Sequence, residues 1–134
     1  MRVSDILRLK GSALFTITPE DSLAHAAQLM AEKDIGSLVV MSHGRVVGML
    51  TFREVIAAPV RNGRSFGTTS VYRAMDDGPL ICTLDTELDE VRRMMLDHHA
   101  RYLPVIENRQ LVGVVSFYDV AKAVVDSQDF ENRM

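Results

Sequence analysis

Ser37-Leu38-Val39-Val40-Met41-Ser42-His43-Gly44-Arg45-Val46-Val47-Gly48-Met49-Leu50-Thr51-Phe52-Arg53-Glu54-Val55 returns 65 residues later as Tyr102-Leu103-Pro104-Val105-Ile106-Glu107-Asn108-Arg109-Gln110-Leu111-Val112-Gly113-Val114-Val115-Ser116-Phe117-Tyr118-Asp119-Val120. Leu38 meets Leu103, Val47-Gly48 meets Val112-Gly113, Phe52 meets Phe117 and Val55 meets Val120. The register runs without a gap from Thr18/Thr83 through Ala58/Ala123, so Leu23 meets Leu88 and Met30 meets Met95. The openings also match, Val3–Leu7 against Val71–Met75, but at an offset of 68. Two copies are too few for a solenoid, in which neighbours stack into a long array. A closed pair is the natural expectation.

Within the quoted stretch, Ser37 to Met41 is apolar and β-branched and reads as a buried strand. Ser42-His43-Gly44-Arg45 reads as a turn, Val46 to Leu50 as a second strand, and Thr51 as the opening of a helix to about Ala58. Upstream, Ser22 is placed to cap a helix whose apolar face is Leu23, Ala26, Ala27 and Met30, with Gly36 expected to end it. A short leading strand precedes it, Phe15 to Thr18. The second copy repeats the order: a leading strand Leu80 to Thr83, a helix face of Leu88, Val91, Met94 and Met95, strands Tyr102 to Ile106 and Leu111 to Val115, a turn at Asn108-Arg109, and a helix from Ser116 to about Val125. The fold class is therefore α/β (α+β), two β-α-β-β-α motifs. Residues 1–60 form the first motif, 61–69 a polar linker, 70–126 the second motif and 127–134 a polar tail. A unit of about 60 residues is marginal alone. Each sheet face is almost continuously apolar, which predicts face-to-face packing with pseudo-two-fold symmetry and a ligand-sized cleft between the motifs.

Composition narrows the function classes. Among 134 residues, 47% are apolar and 25% charged, which suits a packed core and excludes a disordered or fibrous chain. The net charge of −3 carries no basic run, so neither nucleic acid nor a membrane surface is an expected partner. No apolar stretch approaches the ~20 residues of a membrane span, and Met1-Arg2-Val3-Ser4-Asp5 lacks the apolar centre of a secretory signal. The single cysteine, Cys82, fits a reducing compartment. A cytoplasmic location is the expectation. His25, His43, His98 and His99 form no metal-binding pattern, and His98 and His99 read as helix C-terminal caps. No phosphate loop, dinucleotide turn or nucleophile elbow is present, so an enzyme is not expected.

Four stretches together resemble the cystathionine-β-synthase (CBS) domain family in its tandem form, the Bateman module. They are Asp34 to Val40, Gly48 to Val55, Arg101 to Val105 and Gly113 to Val120. The resemblance covers about Val3 to Val125. It implies a regulatory rather than catalytic module that binds an adenosyl compound (AMP, ADP, ATP, NAD or S-adenosylmethionine) with no obligatory cofactor, forms a homodimer and acts on an unidentified target protein. It also implies a signature of Gly, an apolar strand end, then Ser or Thr with Asp three residues further on. Gly113, Ser116 and Asp119 match it fully, and Asp119 would hold a ribose diol through charge-assisted hydrogen bonds. Ser116 and the free N–H groups of the helix start would suit a phosphate oxygen. Tyr102 and Pro104 fall where the family closes over base and ribose, Thr83 falls where its first strand passes the base, and Arg101, just before the strand, is placed to reach a phosphate with its guanidinium; these complete the preferred second site. The first copy supplies Thr18, Thr51 and Glu54, where the longer glutamate departs from the pattern. Arg53, Arg64 and Lys10 are further basic candidates for phosphate. Read locally, Ser116 and Asp119 are also an ordinary helix cap with an acidic first turn. The alternative function is a structural or oligomerisation module with vestigial sites.

Overall fold

The computed structural model describes residues 1–11, 13–63 and 65–133; the side chains at 62 and 127–133 are outside the description. The chain forms helices α1 (Val3–Lys10), α2 (Leu23–Lys33), α3 (Phe52–Asn62), α4 (Val71–Ala74), α5 (Leu88–His98) and α6 (Phe117–Arg133). The strands are β1 (Thr16–Ile17), β2 (Ser37–Ser42), β3 (Arg45–Thr51), β4 (Tyr102–Glu107) and β5 (Gln110–Ser116). Two compact units result: Phe15–Pro79, and Met1–Leu14 together with Leu80–Met134.

The repeats and the units do not share boundaries, because each repeat's opening helix packs in the unit built on the other repeat. The N–H groups of Val3 and Ser4 donate to the carbonyls of Thr86 and Leu84 at 2.9 and 3.0 Å, and Leu88 donates to Met1 at 2.9 Å. Val71 and Tyr72 likewise donate to Asp21 and Pro19 at 2.8 and 3.0 Å, and Leu23 donates to Thr69 at 2.9 Å. The same bonds are made at equivalent positions, so the two offsets in the repeat mark pieces that trade places.

In the Phe15–Pro79 unit, β1 pairs parallel with β2, and β2 antiparallel with β3. The core is Ile17, Leu23, Ala26, Met30, Leu38, Val40, Leu50, Val55, Ala58 and Val71. Ser22 caps α2 by accepting the N–H of His25 at 3.1 Å, as its position predicts. The helix stops two residues before its expected end: Asp34, not Gly36, takes the left-handed conformation at φ 53°. Asp tolerates that region because its short side chain can bond locally. The hairpin turns on His43 and Gly44, at φ 52° and 77°. Positive φ at both central residues is the turn whose twist matches the strands. Helix α3 runs past Ala58 and through Pro59 to Asn62, taking the first two residues of the expected linker. Pro59 sits in the last turn, and its carbonyl accepts the N–H of Gly63 at 2.9 Å, which closes the helix. A single 3-10 turn, Phe66–Thr68, occupies part of the remaining linker.

The other unit has the core Val3, Ile6, Cys82, Leu88, Val91, Met95, Leu103, Val105, Val115, Val120 and Ala123. Here β4 and β5 form a two-stranded sheet, and the expected leading strand is reduced to one bridge, Cys82 to Val105. Pro104 is the reason. Its counterpart Val39 donates its N–H to Phe15 at 3.2 Å, and proline has no N–H to give. Helix α5 ends at His98, with His99 left-handed at φ 53° and donating its N–H to Met95. Helix α6 continues to Arg133, through the stretch expected as a tail.

Candidate functional site

Ser116 ends β5 and Asp119 lies in the first turn of α6, so one strand-to-helix junction positions both. The Ser116 N–H donates to Asp119 Oδ2 at 2.8 Å, and the Asp119 N–H donates to Ser116 Oγ at 3.0 Å. This reciprocal pair is a capping box, and it aims the carboxylate back over the strand end. Phe117 donates its N–H to the carbonyl of Arg101 at 2.7 Å, which ties the helix start to the residue before β4. The helix start is therefore less open to an anion than the sequence suggests, since the N–H groups of Phe117 and Asp119 already have partners.

Tyr102 pairs with Ser116 in the sheet register and is half-buried, so it borders the same junction. Pro104, two residues along β4, is buried, and its carbonyl accepts the N–H of Cys82 at 3.1 Å. Thr83 follows Cys82 and bonds within its own turn, with its N–H on Thr86 Oγ1 at 3.0 Å. Arg101 is exposed and reaches the junction through its carbonyl. The fold thus brings Tyr102, Ser116 and Asp119 together; Thr83 is held in a separate turn. Burial pushes the Cys82 thiol up to about 12, with the Glu90 charge adding to the effect, so the thiol is a core group rather than a nucleophile.

Lys10, at the end of α1, joins this junction directly. Its Nζ donates to Asp119 Oδ2 at 2.6 Å and to the carbonyl of Val114 at 2.9 Å. The Asp119 side chain is 13% exposed and that of Lys10 35%. Sequence reasoning singled out Lys10 as a phosphate candidate, whereas its ammonium is paired with the Asp119 carboxylate. The signal that could have placed it is the opening match at offset 68, which lays α1 along β5 where Met75 and Asp76, the residues after α4, lie against β3. At Gly113 a Cβ would stand 2.8 Å from Leu7 Cδ1, so the end of that side chain would have to move. At Gly48 a Cβ would stand 2.7 Å from the carbonyl oxygen of Asp76 and 2.8 Å from Met75 Sδ. The signature glycines make room for the opening segments, for α1 at Gly113 and for the two residues after α4 at Gly48.

The first-copy residues Thr51 and Glu54 form the equivalent junction. Glu54 Oε1 accepts both the N–H and the hydroxyl of Thr51 at 2.9 Å. Glu54 also lines an open cavity of about 310 Å³ with Arg53, Ala57, Arg61, Ala74, Met75 and Asp76. Thr18 is bound elsewhere, its N–H and hydroxyl donating to Asp21 Oδ2 at 3.1 and 3.0 Å. Arg64 lies outside the described residues.

With this geometry in view, comparison with known proteins gives the family. The chain belongs to the CBS domain family: the family model, described as CBS domain, matches residues 3–61 and again 70–126. It is 30% identical over 132 residues to the CBS domain-containing protein CBSX3, mitochondrial, of Arabidopsis thaliana, covering 92% of this chain and 64% of that protein. The chain thus spans less than two thirds of that relative's length. A putative signal-transduction protein with CBS domains from Burkholderia ambifaria superposes with a TM-score of 0.90 at 31% identity, over 96% of both chains. The CBS domain pair of the protein MJ0100, solved in complex with 5′-methylthioadenosine and S-adenosyl-L-methionine, shares the fold with a TM-score of 0.82. Its identity is 22%, over 95% of this chain and 98% of that one. The protein is a CBS-domain pair.

Proposed function

We propose that this CBS pair is a non-catalytic regulatory module that binds an adenosyl ligand at the Ser116–Asp119 junction. Occupancy would pass to a target protein through a change of conformation or assembly. The observation that carries the reading is the carboxylate of Asp119. It is fixed by the capping box at the end of an edge strand, with Oδ1 free of hydrogen bonds among the described residues. Fixed carboxylates suit a diol, because both hydroxyls can donate to a charged acceptor without costing further side-chain freedom. The adenosyl ligands on MJ0100 support the ligand class. A ligand moves such an equilibrium only through its differential affinity for the two states.

Calorimetry with AMP, ATP, NAD and S-adenosylmethionine tests the site. Asp119→Ala removes a charge-assisted hydrogen bond of about 1.5–3 kcal/mol, so at least one ligand should bind the variant roughly tenfold to a hundredfold more weakly. Equal affinity in both proteins refutes the assignment. A second reading, a structural module with vestigial sites, is favoured by Glu54, whose oxygen serves both Thr51 donors as a helix cap. It predicts no thermal shift with any adenosyl compound, whereas a ligand at 100 times its dissociation constant adds about 2.7 kcal/mol.

Assembly as a homodimer in the cytoplasm belongs to the same proposal. Phe52, Ile56 and Val60 form an i, i+4, i+8 stripe on α3, exposed by 50, 67 and 82%. Such a stripe on a helix calls for an apolar partner. Light scattering of Ile56→Lys checks it: the expected result is a monomer.

A further inference from the structure

The Asp119 carboxylate already has an occupant, and that occupant is the chain itself. Oδ2 accepts the Ser116 N–H at 2.8 Å and the Lys10 ammonium at 2.6 Å, which fills the two lone-pair positions of that oxygen. A diol that takes both carboxylate oxygens must displace one of these donors. The Ser116 N–H is backbone and part of the helix cap. Lys10 is the terminal residue of α1, where helix ends fray, and it reaches the carboxylate through a long, rotatable side chain. We infer that Lys10 is a built-in competitor for the Asp119 site: a nucleoside enters by moving the ammonium off the carboxylate, and the site's affinity is set by that exchange. The inference rests on the reading of Asp119 as the ribose acceptor.

The other unit argues that this is a feature of one site rather than of the scaffold. There the edge of β3 is covered by backbone, with Met49 and Asp76 exchanging N–H···O bonds at 2.9 Å in both directions. At the equivalent place on β5, the carbonyl of Val114 takes the Lys10 ammonium instead. The offset of 68 puts Gly78 where Lys10 stands, so that unit has no side chain to send to its carboxylate from this position. Glu54 has no cationic partner within ion-pair distance among the described residues. The sequence's better match to the family signature, Asp119, is thus the site met by a cation; at the poorer match, Glu54, both donors to Oε1 come from Thr51.

Calorimetry with adenosine separates the possibilities, since adenosine lacks the phosphate to which a lysine could otherwise be drawn. Lys10→Met keeps the stem and removes the charge. It should bind adenosine about tenfold more tightly than the parent, the scale of one charge-assisted hydrogen bond released. Lys10→Gln, which retains a donor for Val114, guards against a folding defect in the first variant and should fall between the two. Unchanged or weaker binding in both variants, with Asp119→Ala still weakening binding about tenfold or more, overturns the competitor and leaves the ribose reading intact. Adenosine binding that is indifferent to Asp119→Ala, or absent from every protein, overturns both.

Discussion

The units Phe15–Pro79 and Met1–Leu14 with Leu80–Met134 are built on one plan and differ at three replaceable places. Where the first has Val39, the second has Pro104, and the third strand of its sheet shrinks to a bridge. Where the first has Gly78, the second has Lys10, and backbone pairing at the sheet edge becomes a side-chain contact. Where the first has Glu54, the second has Asp119, and a carboxylate that serves Thr51 becomes one shared between Ser116 and Lys10. A duplicated scaffold keeps its core under the same packing constraint in both copies. The edges and helix starts, where one side chain can stand in for another, are where the copies diverge.

The sharpest test of this equivalence is at the two glycines. Gly48→Ala drives a methyl against a backbone carbonyl and should cost about 1–3 kcal/mol in urea unfolding, the usual range for overpacking. Gly113→Ala meets only the flexible end of Leu7 and should cost less than about 1 kcal/mol, offset by lost freedom of the unfolded chain. Equal costs would show that the opening helices are held alike in both units.

Next in size is the contrast between Cys82 and its counterpart Ile17, which does not titrate. The Cys82 thiol lies at about 12, raised from 9.0, so the folded state holds its proton where the unfolded chain has lost it. Its stabilising effect is complete below pH 9 and is lost as pH rises toward 12, at up to about 1.4 kcal/mol per pH unit. Cys82→Val should therefore flatten the fall in stability between pH 9 and 10 by about that amount, and parallel pH profiles would contradict the burial of the thiol. The smallest effect is expected at Pro104→Val, which restores the N–H that Val39 has. Stability should change by less than about 1 kcal/mol, since the added hydrogen bond opposes the lost rigidity of proline. Hydrogen exchange should show the new amide protected. A freely exchanging amide would mean that proline is not what shortens the strand.

Much of the fold was legible. The continuous β-branched run around Val39, the helical spacing around Leu23, the Ser22 cap and the turn residues at His43-Gly44 are local signals, set by hydrogen bonding and packing within a few residues. The helix stop at Asp34 was misread because glycine is the common left-handed residue but not the sole one. The run of α3 through Pro59 was missed because a proline in the last turn forgoes only one bond. For the candidate site, Ser116 and Asp119 were legible as a pair three residues apart, and their capping box follows from that spacing. Lys10 was legible as a phosphate candidate but not as the partner of Asp119, which stands 109 residues away, where no spacing rule reaches.

By itself, the amino-acid order determined that two copies of one motif exist, where their strands and helices fall, and which face of each is apolar. Those properties arise from short-range periodicity and from residue types that recur at a constant interval. Tertiary structure alone decided that each opening helix completes the other repeat's unit. The two opening helices make the same backbone bonds at equivalent positions, so either fits either groove by local pattern, and no short-range signal assigns each to its unit. That exchange is what carries a lysine from the beginning of the chain to a carboxylate near its end.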